Sequence, residues 1–71
     1  MHIYFSGIGG AGIGPLVIIT KQAGFEVSGS DMQNSQYTDY LQSQGIRLHI
    51  GQSQKQIDKE HKAHPIDWVV F

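Results

Sequence analysis

The stretch IYFSGIGGAGIGPL, residues 3–16, decides the fold, because its five glycines and one proline separate two apolar runs. The preceding residues 2–6, HIYFS, carry β-branched and aromatic side chains and predict a strand. Apolar residues then recur at helical spacing from Gly12 to Ala23 and predict a helix. The glycines therefore fill a short strand-to-helix loop, where backbone N–H groups can hold a phosphate.

The loop glycines form the pattern G-x-G-x-x-G at Gly7, Gly9 and Gly12, with Gly10 and Ala11 between the last two. In such a loop the first glycine allows the tight turn, and the second lets a ligand approach the backbone. The third lets the helix pack closely on the sheet. A ligand-free turn is the alternative, but the position directly after a strand and before a helix favours a pyrophosphate site.

The helix after the loop is bounded by Pro15 and Gly24. Proline lacks an N–H and is tolerated only in a first turn, so the helix should begin near Gly12. Gly24 is placed to end it in the left-handed conformation. Ile18 and Ile19 widen the apolar stripe, which predicts a helix buried on more than one side.

A second strand, FEVSGS at residues 25–30, ends beside Asp31, which lies 19 residues after Gly12. That spacing is close to the ~20 residues at which a carboxylate hydrogen-bonds the ribose of a bound nucleotide. The alternative is that Asp31 caps the local turn, since aspartate readily bonds nearby backbone groups. No arginine or lysine follows it in the loop, which disfavours a 2′-phosphate. The pattern predicts a nucleotide diphosphate or dinucleotide site.

Four further segments continue the alternation of strand and helix. Ser35 is expected to cap the helix at residues 35–43, and Gly45 to end it. The strand that follows at residues 46–50 should lie nearer the sheet edge than the first strand. The order β-α-β-α-β-α-β predicts an α/β fold, a Rossmann-like parallel sheet of four strands flanked by helices, with the first strand central. The segments are a helix at residues 35–43, a strand at 46–50, a helix at 53–64 and a strand at 66–71.

The helix at residues 53–64 is rich in charge, and its interleaved signs predict an ordinary solvated face. Ile57 and Ala63 are its only apolar anchors, and Ser53 with Gln56 predicts a capping box. The charged residues are Lys55, Asp58, Lys59, Glu60 and Lys62.

The composition excludes several classes of site and partner. The 71 residues contain no cysteine, and the net charge of −1 gives no basic footprint for nucleic acid. No apolar run approaches the ~20 residues of a membrane span, so we expect a cytoplasmic protein without nucleic-acid or membrane partners. His61 and His64 lack a third ligand, so no metal site is predicted. No nucleophile–base pair and no P-loop is present, so no catalytic residue is predicted.

The chain ends on DWVVF, residues 67–71, within an apolar strand. Chain termini are usually exposed and polar, so we expect residues 1–71 to be an N-terminal fragment of a longer protein. The last strand should then be an unprotected sheet edge that pairs with another copy of the chain.

Two motifs together, GIGGAGIG at residues 7–14 and GFEVSGSD at residues 24–31, resemble the N-terminal domain of the Mur ligases. The later LQSQGIRLHIGQ and IDWVVF are also similar to segments of that family. Within it, the strongest likeness is to the ligases that join UDP-N-acetylmuramic acid to L-alanine. The chain departs from the family at Gln52, where a histidine is usual, and at residues 13–15, IGP, where Met-Ser-Gly is usual.

The resemblance implies that residues 1–71 are a UDP-sugar-binding domain for UDP-N-acetylmuramic acid, inactive alone and without a bound cofactor. The full-length enzyme would use ATP and Mg²⁺ in a central domain, and L-alanine with a C-terminal domain, to build peptidoglycan. The implied site residues are Gly7, Gly9, Gly10, Ala11 and Gly12 for the pyrophosphate, Ser30 and Asp31 for the ribose, and Gln52 for the uracil.

Three other functions stay open. The cofactor domain of an NAD-dependent oxidoreductase uses the same glycines and carboxylate. A ligase of the same family that acts on recycled murein tripeptide is the second, although that group usually has cysteine and threonine where this chain has Gly10 and Ala11. A regulatory nucleotide-binding module without catalysis is the third.

Overall fold

The structure, a computed structural model, describes residues 1–8, 13–51 and 54–71. Within these ranges strands and helices alternate along the chain, as the sequence predicts. The elements are β1 (His2–Ser6), α1 (Gly14–Gln22), β2 (Glu26–Asp31), α2 (Gln36–Ser43), β3 (Arg47–Ile50), α3 (Gln54–Ala63) and β4 (Trp68–Val70).

The four strands form one parallel sheet in the order β3-β2-β1-β4. β1 is therefore central and β3 lies at an edge, and both predictions are confirmed. The chain moves from β1 to β3 in one direction and crosses back to β4, so right-handed crossovers place α1 and α2 on one face and α3 on the other. The predicted Rossmann-like α/β class is confirmed.

Helix ends follow the predicted signals. Gly24 and Gly45 both adopt positive φ, 95° and 84°, directly after α1 and α2. The Ser35 side chain accepts a hydrogen bond from the Thr38 N–H, and the Thr38 hydroxyl oxygen accepts one from the Ser35 N–H. This reciprocal pair satisfies two backbone donors at the start of α2, so its position along the chain is set locally.

The sheet face under α1 and α2 holds the hydrophobic core. α1 contributes Val17 to this core, but Ile19 is 61% exposed and Leu16 is 48% exposed. The prediction that α1 is buried on more than one side is therefore wrong, because in the described residues the sheet covers only one side of it. The buried core residues are Phe5, Ile8, Val17, Val27, Leu41 and Ile46.

The opposite sheet face is polar, and α3 reaches it with a carboxylate. Glu60 is 2% exposed and is the buried residue of α3, while Ala63 is exposed. Its carboxylate accepts hydrogen bonds from Arg47 Nε and from His49 Nε2, each 2.8 Å long. The predictions that Glu60 belongs to a solvated face and that Ala63 anchors the helix are therefore wrong. Tyr4 is fully buried on this face.

His2, on the central strand β1, extends the polar layer beside Glu60. Its ring is 2% exposed, with Nε2 2.6 Å from Ser28 Oγ and 3.6 Å from a Glu60 oxygen. Nδ1 lies 3.0 Å from the His64 carbonyl and 3.1 Å from the Pro65 carbonyl. Carbonyl oxygens only accept, so Nδ1 carries a proton and donates it, which ties β1 to the segment between α3 and β4.

Across the described ranges, no helix has the length and apolar character that crossing a membrane requires. The most extended of the described helices, α3, has 10 residues.

Two opposing effects act on the pKa of the Glu60 carboxyl. Burial by itself raises its pKa, but the hydrogen bonds and charges of His49 and Arg47 outweigh burial and hold the pKa below its ordinary value of 4.5. A carboxyl with a lower pKa in the folded than in the unfolded chain stabilises the fold above the unfolded value. That contribution is lost as the pH falls through the folded value, so the loss begins below about pH 4.5.

We expect Glu60→Gln to lower the free energy of unfolding at pH 7 by about 1–3 kcal/mol, because the donors of Arg47 and His49 lose their ionised acceptor. The difference from wild type should begin to shrink below pH 4.5 and vanish as the pH falls through the lowered pKa of Glu60, where the folded wild-type carboxyl itself becomes protonated. Urea denaturation at pH 7 and below pH 4.5 measures this difference in the free energy of unfolding. Asp58→Asn, on the exposed side of the same helix, is the matched control and should change stability by less than about 0.5 kcal/mol. Equal stability of Glu60→Gln and wild type at pH 7 would contradict the account.

The last strand, β4, lies at an edge of the sheet. Among the described residues β4 pairs only with β1, and Trp68 is 60% exposed. A short apolar edge strand presents unpaired N–H and C=O groups to any second strand, so self-association through β4 stays a prediction.

Sedimentation velocity from about 10 µM to about 1 mM should show a growing share of dimer or larger species. Trp68→Lys should suppress it by placing a charge on the edge. Ile19→Lys, which removes an equally exposed apolar side chain from α1, should leave it unchanged. A strictly monomeric wild type at 1 mM would count against edge pairing.

Candidate functional site

The exit from β1 is a tight turn held by β2. The N–H groups of Gly7 and Ile8 both donate to the carbonyl of Ser30, each at 2.9 Å. Gly7 has φ 77°, a left-handed conformation that glycine adopts without the steric conflict of a side chain. The first glycine of the fingerprint therefore makes the turn that the sequence predicts for it.

Gly29 of β2 lies directly under this turn. A Cβ at Gly29 would be 2.5 Å from the Phe5 carbonyl oxygen and 2.7 Å from Ile8 Cδ1. Ile8 is fully buried, so its side chain needs the space that Gly29 leaves. Sequence reasoning gave Gly29 no packing role, although a glycine inside a strand is a signal of close approach by another group.

The helix that follows the loop begins at Gly14, with Pro15 in its first turn. Ile13 occupies the N-cap and offers no side-chain acceptor to the first N–H groups of α1. Such groups are ordinarily satisfied by capping side chains, water or ligands, and the helix dipole makes this end attractive to anions. The start of α1 is therefore suited to a phosphate.

Five of the predicted site residues lie outside the described ranges, and their contacts with a ligand stay predictions. The positions on either side of the glycine loop, Ile8 and Ile13, belong to the described part of the chain. Ser53 of the predicted capping box is outside these ranges as well. The five site residues are Gly9, Gly10, Ala11, Gly12 and Gln52.

Ser30 and Asp31 end β2 at the carboxyl edge of the sheet. The Ser30 side chain is 1% exposed, and its carbonyl holds the turn after β1. Asp31 is half-buried, and its Oδ1 accepts a hydrogen bond from the Met32 N–H at 2.7 Å. The local turn-capping role considered for Asp31 is thus present, and contact of either residue with a ribose stays a prediction.

The end of β3 meets the end of β2. The Gly51 N–H donates to the Asp31 carbonyl at 2.8 Å, and Gly51 adopts φ 103°. This contact holds Gly51 next to the end of β2. The ends of β1, β2 and β3 therefore converge at one edge with the start of α1, where open α/β sheets bind ligands.

His61 and His64, at the end of α3, make contacts with neighbouring residues. His61 Nδ1 accepts a hydrogen bond from the Ile66 N–H at 2.8 Å, and His64 lies 3.8 Å from a Glu26 oxygen. Within the described residues, no group of three acidic, histidine or cysteine side chains is arranged to hold a metal.

The chain is similar to proteins of one known family. Residues 2–70 match the family described as Mur ligase family, catalytic domain. The UDP-N-acetylmuramate–L-alanine ligase of Burkholderia lata is 48% identical over 50 residues, which are 70% of this chain and 11% of that protein. The ligase of the same name from Persephonella marina is 39% identical over 57 residues, 80% of this chain and 12% of that protein. The chain thus spans about an eighth of the length of these relatives.

Two solved structures share the fold. A murein peptide ligase from Psychrobacter arcticus has a TM-score of 0.65 and 31% identity, covering 72% of this chain and 11% of that one. The UDP-N-acetylmuramate–alanine ligase of Thermotoga maritima has a TM-score of 0.73 and covers 97% of this chain and 20% of that one. At 22% identity the second likeness concerns the fold alone.

The close approach at Gly29 makes a stability prediction. Gly29→Ala should lower the free energy of unfolding by about 1–3 kcal/mol, because the added methyl meets a backbone carbonyl of the β1–β2 ladder. Gly14→Ala is the matched control, because its methyl meets the phenol of Tyr37, a side chain that can swing away, and alanine favours helix. Urea denaturation should therefore show the larger loss for Gly29→Ala. An equal or smaller loss there would contradict the packing described.

Proposed function

This chain belongs to the Mur ligase family, and on that premise we propose that it binds the UDP part of UDP-N-acetylmuramic acid for an ATP-dependent ligase of peptidoglycan synthesis. The observation that carries the proposal is the turn of Gly7 and Ile8 on the Ser30 carbonyl, together with a helix start farther along the chain whose N-cap, Ile13, has no polar side chain. In glycine-rich loops that join a strand to a helix, backbone N–H groups and the positive end of the helix dipole can together hold a phosphate.

The roles of the individual residues follow from their places at this edge. The backbone at residues 9–12 would donate to the pyrophosphate oxygens, with Gly7 setting the turn that leads into it. Asp31 would accept from the ribose, and Gln52 would contact the uracil, since an amide both donates and accepts hydrogen bonds. Fixing the nucleotide at several points positions the muramoyl carboxylate at its far end.

The chemistry would belong to the rest of the enzyme. The muramoyl carboxylate would take the γ-phosphoryl group of ATP with Mg²⁺, releasing ADP. The amine of L-alanine would then displace phosphate from this acyl phosphate and form the amide. We assign no catalytic residue to this chain, whose part is positioning, and we propose that the enzyme works in the cytoplasm.

Family membership disfavours the alternative of an NAD-dependent oxidoreductase. The relatives at 39% and 48% identity are named as L-alanine ligases, which favours L-alanine over a murein peptide as the second substrate. Gly10 and Ala11, in place of the cysteine and threonine usual in the peptide-recycling group, point the same way.

An ¹H–¹⁵N NMR titration of the 71-residue chain tests the nucleotide preference. UDP-N-acetylmuramic acid should shift the amide signals of Gly7, Ile8, Gly14 and Asp31, because these border the loop. NAD⁺ at the same concentration should shift these signals less, because the proposed site has residues for a diphosphate, a ribose and a uracil but none for a nicotinamide. Larger shifts with NAD⁺, or shifts with UDP-N-acetylmuramic acid confined to α3, would overturn the proposal.

A further inference from the structure

Helix α3 is attached to the sheet with little apolar burial. Glu60 is the buried residue of this helix, and Gln56 and Ile57 are half-buried. The other two helices differ, because Val17 of α1 and Leu41 of α2 are fully buried in the hydrophobic core. Removal of apolar surface from water therefore stabilises the docking of α1 and α2 far more than that of α3.

The Glu60 carboxylate lies among charged and titratable groups of three strands. Arg47 Nε and His49 Nε2 are each 2.8 Å from its oxygens, and His2 Nε2 is 3.6 Å away. β4 contributes no such group, because the strand Trp68–Val70 carries no titratable side chain. The groups that surround Glu60 are His2 and Tyr4 from β1, Glu26 from β2, Arg47 and His49 from β3, and His64 beyond the end of α3.

Protonation of Glu60 removes the anion from this cluster. The neutral carboxyl can no longer accept two hydrogen bonds as an ion, and at acid pH imidazoles are ordinarily cationic. The side chains of His2, His49 and Arg47 then face one another with no buried negative charge among them. Loss of one partner from a buried ionic contact is strongly destabilising, because the others keep the cost of their desolvation.

Little else holds α3 once this contact is lost. A Gln56 side-chain N–H donates to the Ile50 carbonyl at 3.3 Å, and Ile57 is the one half-buried apolar residue of the helix. A helix of 10 residues is marginal in water by itself. An undocked α3 should therefore also lose its helical hydrogen bonds.

We propose that α3 is a separate opening unit, which leaves the sheet and unfolds when Glu60 is protonated, while the sheet, α1 and α2 keep their packing. Units that open locally have few buried apolar contacts, as α3 does. β4 stays paired, because its ladder with β1 consists of backbone groups. This inference is independent of nucleotide binding and makes Glu60 the switch of a conformational change.

NMR spectroscopy of the wild-type chain from pH 7 to about pH 3 tests the proposal. The Cα shifts of Gln54–Ala63 report the helix, and the Cδ shift of Glu60 reports its protonation. The helical shifts of α3 should be lost below about pH 4.5, with the midpoint of the Glu60 titration, while those of α1 and α2 persist. An α3 that stays helical after Glu60 is protonated would overturn the inference. Loss of all three helices in one step would overturn it as well.

Glu60→Gln removes the charge at constant pH and keeps the size of the side chain. At pH 7 the α3 amides of this variant should exchange with solvent at least about 10-fold faster than in wild type, and its α3 should be less protected than its α1. Asp58→Asn, which removes an exposed charge from the same helix, should exchange as wild type does. Equal protection of α3 and α1 in Glu60→Gln would contradict a separate unit.

The same variant identifies the titrating group. Other carboxyls of the chain take up protons over the same pH range, so the acid transition of α3 must depend on Glu60 itself. In Glu60→Gln the Cα shifts of α3 should no longer change through that range. A full acid transition of α3 that persists in this variant would assign the switch to another group and overturn the inference.

Discussion

The carbonyl of Ser30 is the contact on which the rest of the site depends. It accepts the N–H groups of Gly7 and Ile8 and so fixes how the chain leaves the central strand. The turn can lie there because Gly7 tolerates a positive φ and because Gly29 leaves room for the Ile8 side chain. The two motifs that resemble the family thus meet in one contact, between Gly7 and Ile8 of the first and Ser30 of the second.

Different interactions hold the helices on the two faces of the sheet. α1 and α2 cover an apolar core, whereas α3 is joined to the other face through Glu60 and its partners Arg47 and His49. Such an ionic contact gives little net stability over a well-packed apolar one, but leaving one partner alone is costly. The geometry of these hydrogen bonds also specifies which turn of α3 faces the sheet.

Much of this arrangement is predictable from the sequence, because its signals are local. Ser35 caps α2, and Gly24 and Gly45 end helices, through interactions within a few residues. The order of strands follows from the alternation of elements and the handedness of crossovers. Residues 2–70 match the Mur ligase family, which confirms the resemblance inferred from the two motifs.

The features that sequence reasoning missed depend on distant partners. Glu60 looks solvated on a charged helix, and its burial is decided by Arg47 and His49, 13 and 11 residues away. The exposure of Ile19 depends on how much of α1 the sheet covers, which helical periodicity does not measure. Tyr37 lies near Gly14 only because β2 and the turns around it bring α2 beside α1.

The central claim is that the glycine loop, held on β2, binds the diphosphate of a uridine nucleotide. The most direct measurement is a crystal structure of the chain grown with UDP-N-acetylmuramic acid. The account predicts diphosphate oxygens about 3 Å from backbone nitrogens of residues 9–14, a distance typical of N–H···O hydrogen bonds. A diphosphate bound away from this loop, on the polar face under α3 for example, would contradict it.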